Sequence, residues 1–229
     1  MKEYAKLKEK MDVTDSGAKE PVMVEKTRPD GYMILNGHHR WAAAYRVGLR
    51  KLKIKIVDLT TQRDIRKMLE NATSDKRVTL DLDEVVFRPA TDPYLEQSLR
   101  FPLNRIYKER IRRGIIALFH LLNEKGYDIW VYSAQYYSLN YLVYFFRHYH
   151  VHVTGIVTGT TRKTAGAEEE KKETEKMMEG RYRTTLHIDN NMVLQTHRDS
   201  REFEEYRLSG SAEGWSREVI DVIGKMKQP

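Results

Sequence analysis

Arg77-Val78-Thr79-Leu80-Asp81-Leu82-Asp83-Glu84-Val85-Val86-Phe87 decides how this chain is read. A short apolar run ends in two aspartates spaced two apart, and a second apolar run follows. A buried parallel strand reads this way when chemistry sits at its C-terminal end. Carboxylates at i and i+2 point to the same side of an extended chain, so both reach one cation or one phosphorus centre. Aspartate is disfavoured in strands and like charges repel, so the pair needs an offsetting partner, and a divalent metal is the simplest. Taken alone, the stretch also reads as a solvated turn between two strands.

Three segments further along extend the pattern. Gly126-Tyr127-Asp128-Ile129-Trp130-Val131-Tyr132-Ser133-Ala134 is a second apolar strand ending in a small hydroxyl residue. Thr185-Leu186-His187-Ile188-Asp189-Asn190-Asn191 is a third, ending in an acid followed by two amides. Between them Thr158-Gly159-Thr160-Thr161-Arg162-Lys163 is a polar, cationic loop that opens a charged helix. An aspartate pair, a hydroxyl, a lysine and a late aspartate, each at a strand end or helix start, follow one another in this order in the haloacid dehalogenase (HAD) superfamily. The region from about residue 76 to 229 resembles that superfamily. The resemblance implies a phosphatase in which Asp81 is the nucleophile and Asp83 the general acid and base. It implies that Ser133 and Lys163 hold the transferring phosphoryl group, and that Asp81, Asp83 and Asp189 form a magnesium site.

The residue types suit that chemistry. A carboxylate takes a phosphoryl group as an aspartyl-phosphate and divides one hard step into two easier ones. Magnesium and a lysine stabilise charge on the phosphoryl oxygens. Several positions depart from the family pattern. Glu84 stands where the family usually has glycine, Ser133 replaces the commoner threonine, and Asn190 replaces a second acid. Lys171 and Lys172 compete with Lys163 for the lysine role, although a solvated helix face accounts for them without any function.

The surrounding pattern predicts an α/β domain. Residues 113–125 carry the apolar spacing of an amphipathic helix, with Gly126 at its stop. Residues 141–149 read as another helix and 151–157 as a strand. Alternation of helix and strand implies a parallel sheet with right-handed crossovers and helices on both faces. The site then lies at the C-terminal strand ends, where Asp81, Ser133 and Asp189 fall. Residues 88–112 are too few for a large cap domain, which predicts a site open to a bulky substrate or a chain end. Residues 215–226 read as a closing amphipathic helix.

The N-terminal third makes a separate statement. Gly31 to Asn36 is a strand, Asn36-Gly37 a tight turn, and His38-His39-Arg40-Trp41-Ala42-Ala43-Ala44-Tyr45-Arg46-Val47 a helix ended by Gly48. Lys53-Ile54-Lys55-Ile56-Val57 follows as an alternating strand. Gly37, His38, His39 and Arg40 stand at a helix start, where free N–H groups and the helix dipole favour a phosphate or nucleotide. The Gly-His-His-Arg turn resembles that of the ParB/sulfiredoxin-like fold, which implies a small α+β module. Relatives with such a turn include chromosome-partitioning proteins that bind CTP and DNA, and ADP-dependent serine kinases. Sulfiredoxins need a cysteine in this turn and the chain has none, which excludes their chemistry. A first helix is expected over residues 1–11, leaving no room for the strand that such relatives generally carry ahead of it.

Charge divides unevenly between the two parts. Ten lysines and six arginines against ten acids give residues 1–74 a net +6, out of +7 for the chain. That favours a polyanionic partner, nucleic acid or nucleotide, for the N-terminal module. The run Arg50-Lys51-Leu52-Lys53-Ile54-Lys55 also reads simply as the outer face of an edge strand. Apolar runs are short and broken by charge, so no membrane span is expected. The charged N-terminus does not read as a signal peptide, and zero cysteines fit a reducing, cytoplasmic setting. The sequence thus predicts two α/β domains. Residues 1–74 form a ParB/sulfiredoxin-like nucleotide- or phosphate-binding module, and 76–229 a magnesium-dependent HAD-type phosphatase acting on a phosphorylated substrate. Two alternatives fit the same residues: a non-catalytic nucleotide- or nucleic-acid-binding protein with a HAD-like scaffold, and a paired kinase and phosphatase.

Overall fold

A computed structural model describes residues 20–26, 31–160, 167–200 and 203–226. The helix expected over residues 1–11 lies outside the described residues. The chain divides into two compact units, one up to Leu59, with which Tyr136–Ser138 is grouped, and one from Thr60 onward.

In the first unit β1 (Val22–Lys26) pairs antiparallel with β2 (Tyr32–Asn36) and parallel with β3 (Ile54–Ile56), giving the order β2-β1-β3. Val22 and Val24 alternate inward along β1 and are buried, as are Ala43 and Ala44 of helix α1 (His38–Arg46). Gly37, at φ +94°, turns the chain from β2 into α1, and a Cβ there would meet Val22 Cγ2 at 3.2 Å and Val22 Cα at 3.3 Å. The turn therefore needs glycine both for its left-handed conformation and for the close approach of β1. β3 lies at the sheet edge with all three residues exposed, which agrees with the edge-strand reading of the basic run.

The second unit opens with α2 (Gln62–Glu70), started by a capping box in which the Thr61 side chain accepts from Asp64 N–H and the Asp64 side chain from Thr61 N–H. Residues 60–74 are thus grouped by their packing with this unit. Their attachment is physical: Ile65 of α2 joins Trp130, Met178 and Tyr182 in one buried cluster. Thr60 also clasps the outer edge of a strand of the main sheet. Its Oγ1 donates to Ile156 O at 2.9 Å and accepts from Thr158 N–H at 3.1 Å.

That sheet is six-stranded. It comprises β4 (Lys76–Asp81), β5 (Asp128–Ser133), β6 (Gly155–Thr158), β7 (Thr184–Ile188), β8 (Met192–His197) and β9 (Phe203–Arg207), in the order β6-β5-β4-β7-β8-β9. The first four in that order run parallel, and β8 and β9 add antiparallel at one edge. The architecture is therefore mixed α/β with a mostly parallel sheet, in which the parallel part expected over residues 77–189 is extended at one edge by two antiparallel strands. Residues 151–154, expected within a strand, precede β6 as irregular chain.

Helices cover both faces. Period-2 alternation in β5 sends Trp130 and Tyr132 to the face covered by α2 and α6 (Ala167–Arg181). The other face carries α4 (Ile115–Glu124), α5 (Leu139–His148) and α7 (Trp215–Lys225). There Phe119 packs on Phe146 at 6.1 Å between ring centroids, and Ser216 Oγ donates to Arg113 O at 2.7 Å.

The apolar run after the aspartates is not a strand. Leu82–Val86 form a single π-helical turn, with Leu82, Val85 and Val86 buried. The chain then leaves through a short stem, Arg88 N–H to Arg110 O and Arg112 N–H to Val86 O, each at 2.9 Å. Within this excursion the only helix is α3 (Leu103–Ile106).

Candidate active site

Strand register brings the acids to one end of the sheet. Leu80 of β4 lies opposite Ile188 of β7, so Asp81 and Asp189 follow at the next step on neighbouring parallel strands, whose axes run about 4.8 Å apart. Asp81 caps the π-helical turn, its Oδ1 accepting from Glu84 N–H at 2.7 Å. Glu84 thus supplies a main-chain donor where glycine was expected. Asp189 Oδ1 accepts from Asn190 N–H at 2.6 Å, and its own N–H donates to Met192 O at 2.9 Å, closing the turn into β8. The second carboxylate oxygen of each acid accepts no hydrogen bond among the described residues.

Asp83 is held by the turn after β5. Its Oδ2 accepts from Ala134 N–H at 2.8 Å and Gln135 N–H at 3.3 Å. Ser133 Oγ lies 2.9 Å from Asp83 Oδ1 and 3.0 Å from Oδ2. Among the described residues, no three histidine, aspartate or glutamate side chains are placed to hold a metal ion together. The expected trio of Asp81, Asp83 and Asp189 carboxylates is not assembled, because the β5 turn engages both oxygens of Asp83. Ser133, 0 % exposed, presents its hydroxyl to Asp83, not outward to a phosphoryl group as expected.

The lysine position falls beyond the described chain. Gly159 N–H donates to Gln135 O and Thr160 N–H to Ser133 O, each at 3.1 Å, which leads the chain past the Ser133 turn. Lys163 itself lies outside the described residues. Lys171 and Lys172 are exposed on α6, as a solvated helix face requires.

Sequence reasoning missed Arg112. This arginine is 6 % exposed, donates to Asn190 Oδ1 at 2.5 Å and to Glu84 O at 3.4 Å, and lies 4.3 Å over the Trp215 ring. Trp215 Nε1–H donates to Asn190 O at 2.8 Å, so Asn190, next to Asp189, is gripped from side chain and main chain. Burial, aided by Arg88, draws the Arg112 pKa down to about 10, while Asp92 opposes the shift. Nothing in sequence separates Arg112 from its cationic neighbours Arg110 and Arg113.

In the first unit His38 and His39 are exposed at the start of α1, beside Gly37. Arg40, expected to grip an anion, turns instead to the start of β1. It donates to Pro21 O at 3.0 Å and to Glu20 O, and pairs with the Glu20 carboxylate at 3.3 Å. The guanidinium therefore braces the β1–α1 packing.

Residues 3–72 match the family model of the ParB N-terminal domain. No curated protein and no solved structure matches the chain. The matched stretch spans β1, β2, α1, β3 and α2. The N-terminal part of this chain is ParB-like.

Proposed function

We propose that the second unit is a magnesium-dependent phosphohydrolase of HAD type, working through an aspartyl-phosphate on Asp81. The observation that carries this reading is the convergence of Asp81, Asp189 and the Ser133-held Asp83 at the C-terminal ends of β4, β7 and β5. A crossover α/β sheet builds its sites at that end.

The donor set fits magnesium. Two carboxylates at neighbouring strand tips, with a main-chain carbonyl from Asp83, are hard oxygen ligands for an ion that keeps several waters. Bound there, magnesium would neutralise charge on the phosphoryl oxygens. The Asp81 oxygen without a hydrogen bond attacks phosphorus, the ester P–O bond breaks, and the leaving oxygen takes a proton from Asp83. Water then attacks the aspartyl-phosphate, passes a proton to the Asp83 carboxylate, and releases phosphate with Asp81 regenerated. The Asp83 proton has one natural seat. Oδ2 faces two main-chain N–H donors, whereas Oδ1 faces a serine hydroxyl that can reverse and accept. Phosphatase assays on a panel of esters, with and without magnesium, test the reading. Asp81→Asn should abolish turnover with the fold intact, and a full-rate Asp81→Asn protein would refute it.

For the N-terminal part, the ParB-type match and the basic balance of residues 1–74 favour binding of a nucleotide or nucleic acid. Retention of CTP or of a DNA duplex on the full chain, lost progressively with salt, is the expected result.

A further inference from the structure

The excursion between the π-helical turn and α4 pairs exposed aromatic surface with positive charge. Over residues 100–113 six arginines and lysines stand against one acid, Glu109. That acid takes the Tyr141 hydroxyl. Phe101 is 69 % exposed and Ile106 58 % exposed, with Arg100, Arg105 and Lys108 also open to solvent. Arg105 lies over the Phe101 ring, its Cζ 5.0 Å from the centroid.

The patch is anchored to the body of the unit. Tyr107 packs on Tyr141 at 4.9 Å and on Phe145 at 5.7 Å, and Tyr141 donates to Ile106 O at 3.3 Å. Both anchors lead back to the strand tips. α5, which carries Tyr141, follows the Ser133 turn, and the stem of the excursion ends at Arg112, hydrogen-bonded to Asn190 beside Asp189.

An exposed ring with a guanidinium already stacked on it is a platform for an unstacked base, and flanking cations neutralise the phosphates on either side. An acidic peptide would use the cations but has no use for the open face of Phe101. We infer that residues 100–108 bind single-stranded nucleic acid and deliver its phosphorylated end to the strand-tip site. The substrate half of this inference rests on the phosphohydrolase reading.

The test uses the full chain, a labelled oligothymidylate with a terminal phosphate, and p-nitrophenyl phosphate as a small ester. Phe101→Ala is expected to weaken oligonucleotide binding and turnover about tenfold and to leave p-nitrophenyl phosphate turnover unchanged. Phe101→Tyr should restore both, and Arg105→Gln should lower the salt slope of binding by about one unit. Unchanged oligonucleotide binding in the Phe101→Ala and Arg105→Gln variants overturns the inference, and so does equal loss on the two substrates. Displacement of the oligonucleotide by polyglutamate as readily as by unlabelled oligonucleotide overturns it too. Absence of turnover on every ester, with the Phe101→Ala binding loss present, strikes the phosphohydrolase reading and leaves the binding surface standing.

Discussion

Ser133 and Asp83 are joined across the tips of β5 and the π-helical turn: one buried hydroxyl sits within 3.0 Å of both oxygens of the carboxylate. On the proposed phosphohydrolase reading, a side chain so held would meet substrate in one orientation, which is what a proton donor requires.

Ser133→Ala should therefore lower kcat about tenfold with little change in KM, because two main-chain N–H groups still hold Asp83. Asp83→Asn removes the proton itself and should cost roughly 10²- to 10⁴-fold. Steady-state kinetics on an ester with a poor leaving group separates the two.

Arg112→Met should destabilise the second unit by about 2–3 kcal/mol, since it leaves Asn190 Oδ1 without its donor and Trp215 without its cation. Arg112→Lys should recover only part of the loss, because an ammonium cannot reproduce the planar fork over the indole. Urea denaturation midpoints decide this.

Gly155 lies opposite Trp130 in the β5–β6 ladder, and a Cβ there would fall 2.1 Å from indole Cε3. The indole cannot swing aside, because it is wholly buried and its Nε1–H donates to the Tyr182 hydroxyl at 2.8 Å. Gly155→Ala should cost about 3 kcal/mol, the upper end of ordinary overpacking, read from the same denaturation curves.

His187 supplies a pH dependence. Burial, helped by Arg77, lowers its pKa below the usual imidazole value, and Nδ1 lies 2.7 Å from Thr79 Oγ1. The unfolded chain therefore binds a proton before the folded one does. Its contribution to stability is full above the ordinary histidine range and falls as pH drops through it. The fall levels off below the lowered folded value. Melting temperatures taken from neutral to mildly acid pH should fall less steeply in His187→Asn than in the parent.

The central strands were legible because Val78 and Leu80, Ile129 to Val131, and Leu186 and Ile188 are short apolar segments of buried residues bounded by polar chain. The Gly37 turn was legible for a similar reason, since only glycine suits a left-handed corner pressed against Val22. β8 and β9 were not. Gln195 is 1 % exposed at an inward position of β8, and Phe-Glu-Glu-Tyr-Arg in β9 carries no clean apolar face. α2 shows an apolar stripe of Ile65, Met68 and Leu69, but a stripe does not say which sheet it covers, and its packing against Trp130 was not legible for that reason. The aspartate pair announced itself by spacing. Which way each carboxylate turns depended on the main-chain donors at Ala134 and Gln135, and no residue type encodes those.

The clasp of Thr60 on β6 sets where the chain can be cut in two. A fragment starting at residue 76 would strip Ile65 from Trp130 and leave the Thr158 amide and Ile156 carbonyl on an uncovered rim. Such a rim invites another copy to zip alongside, so the shorter fragment should clump where one beginning ahead of Thr60 stays dispersed.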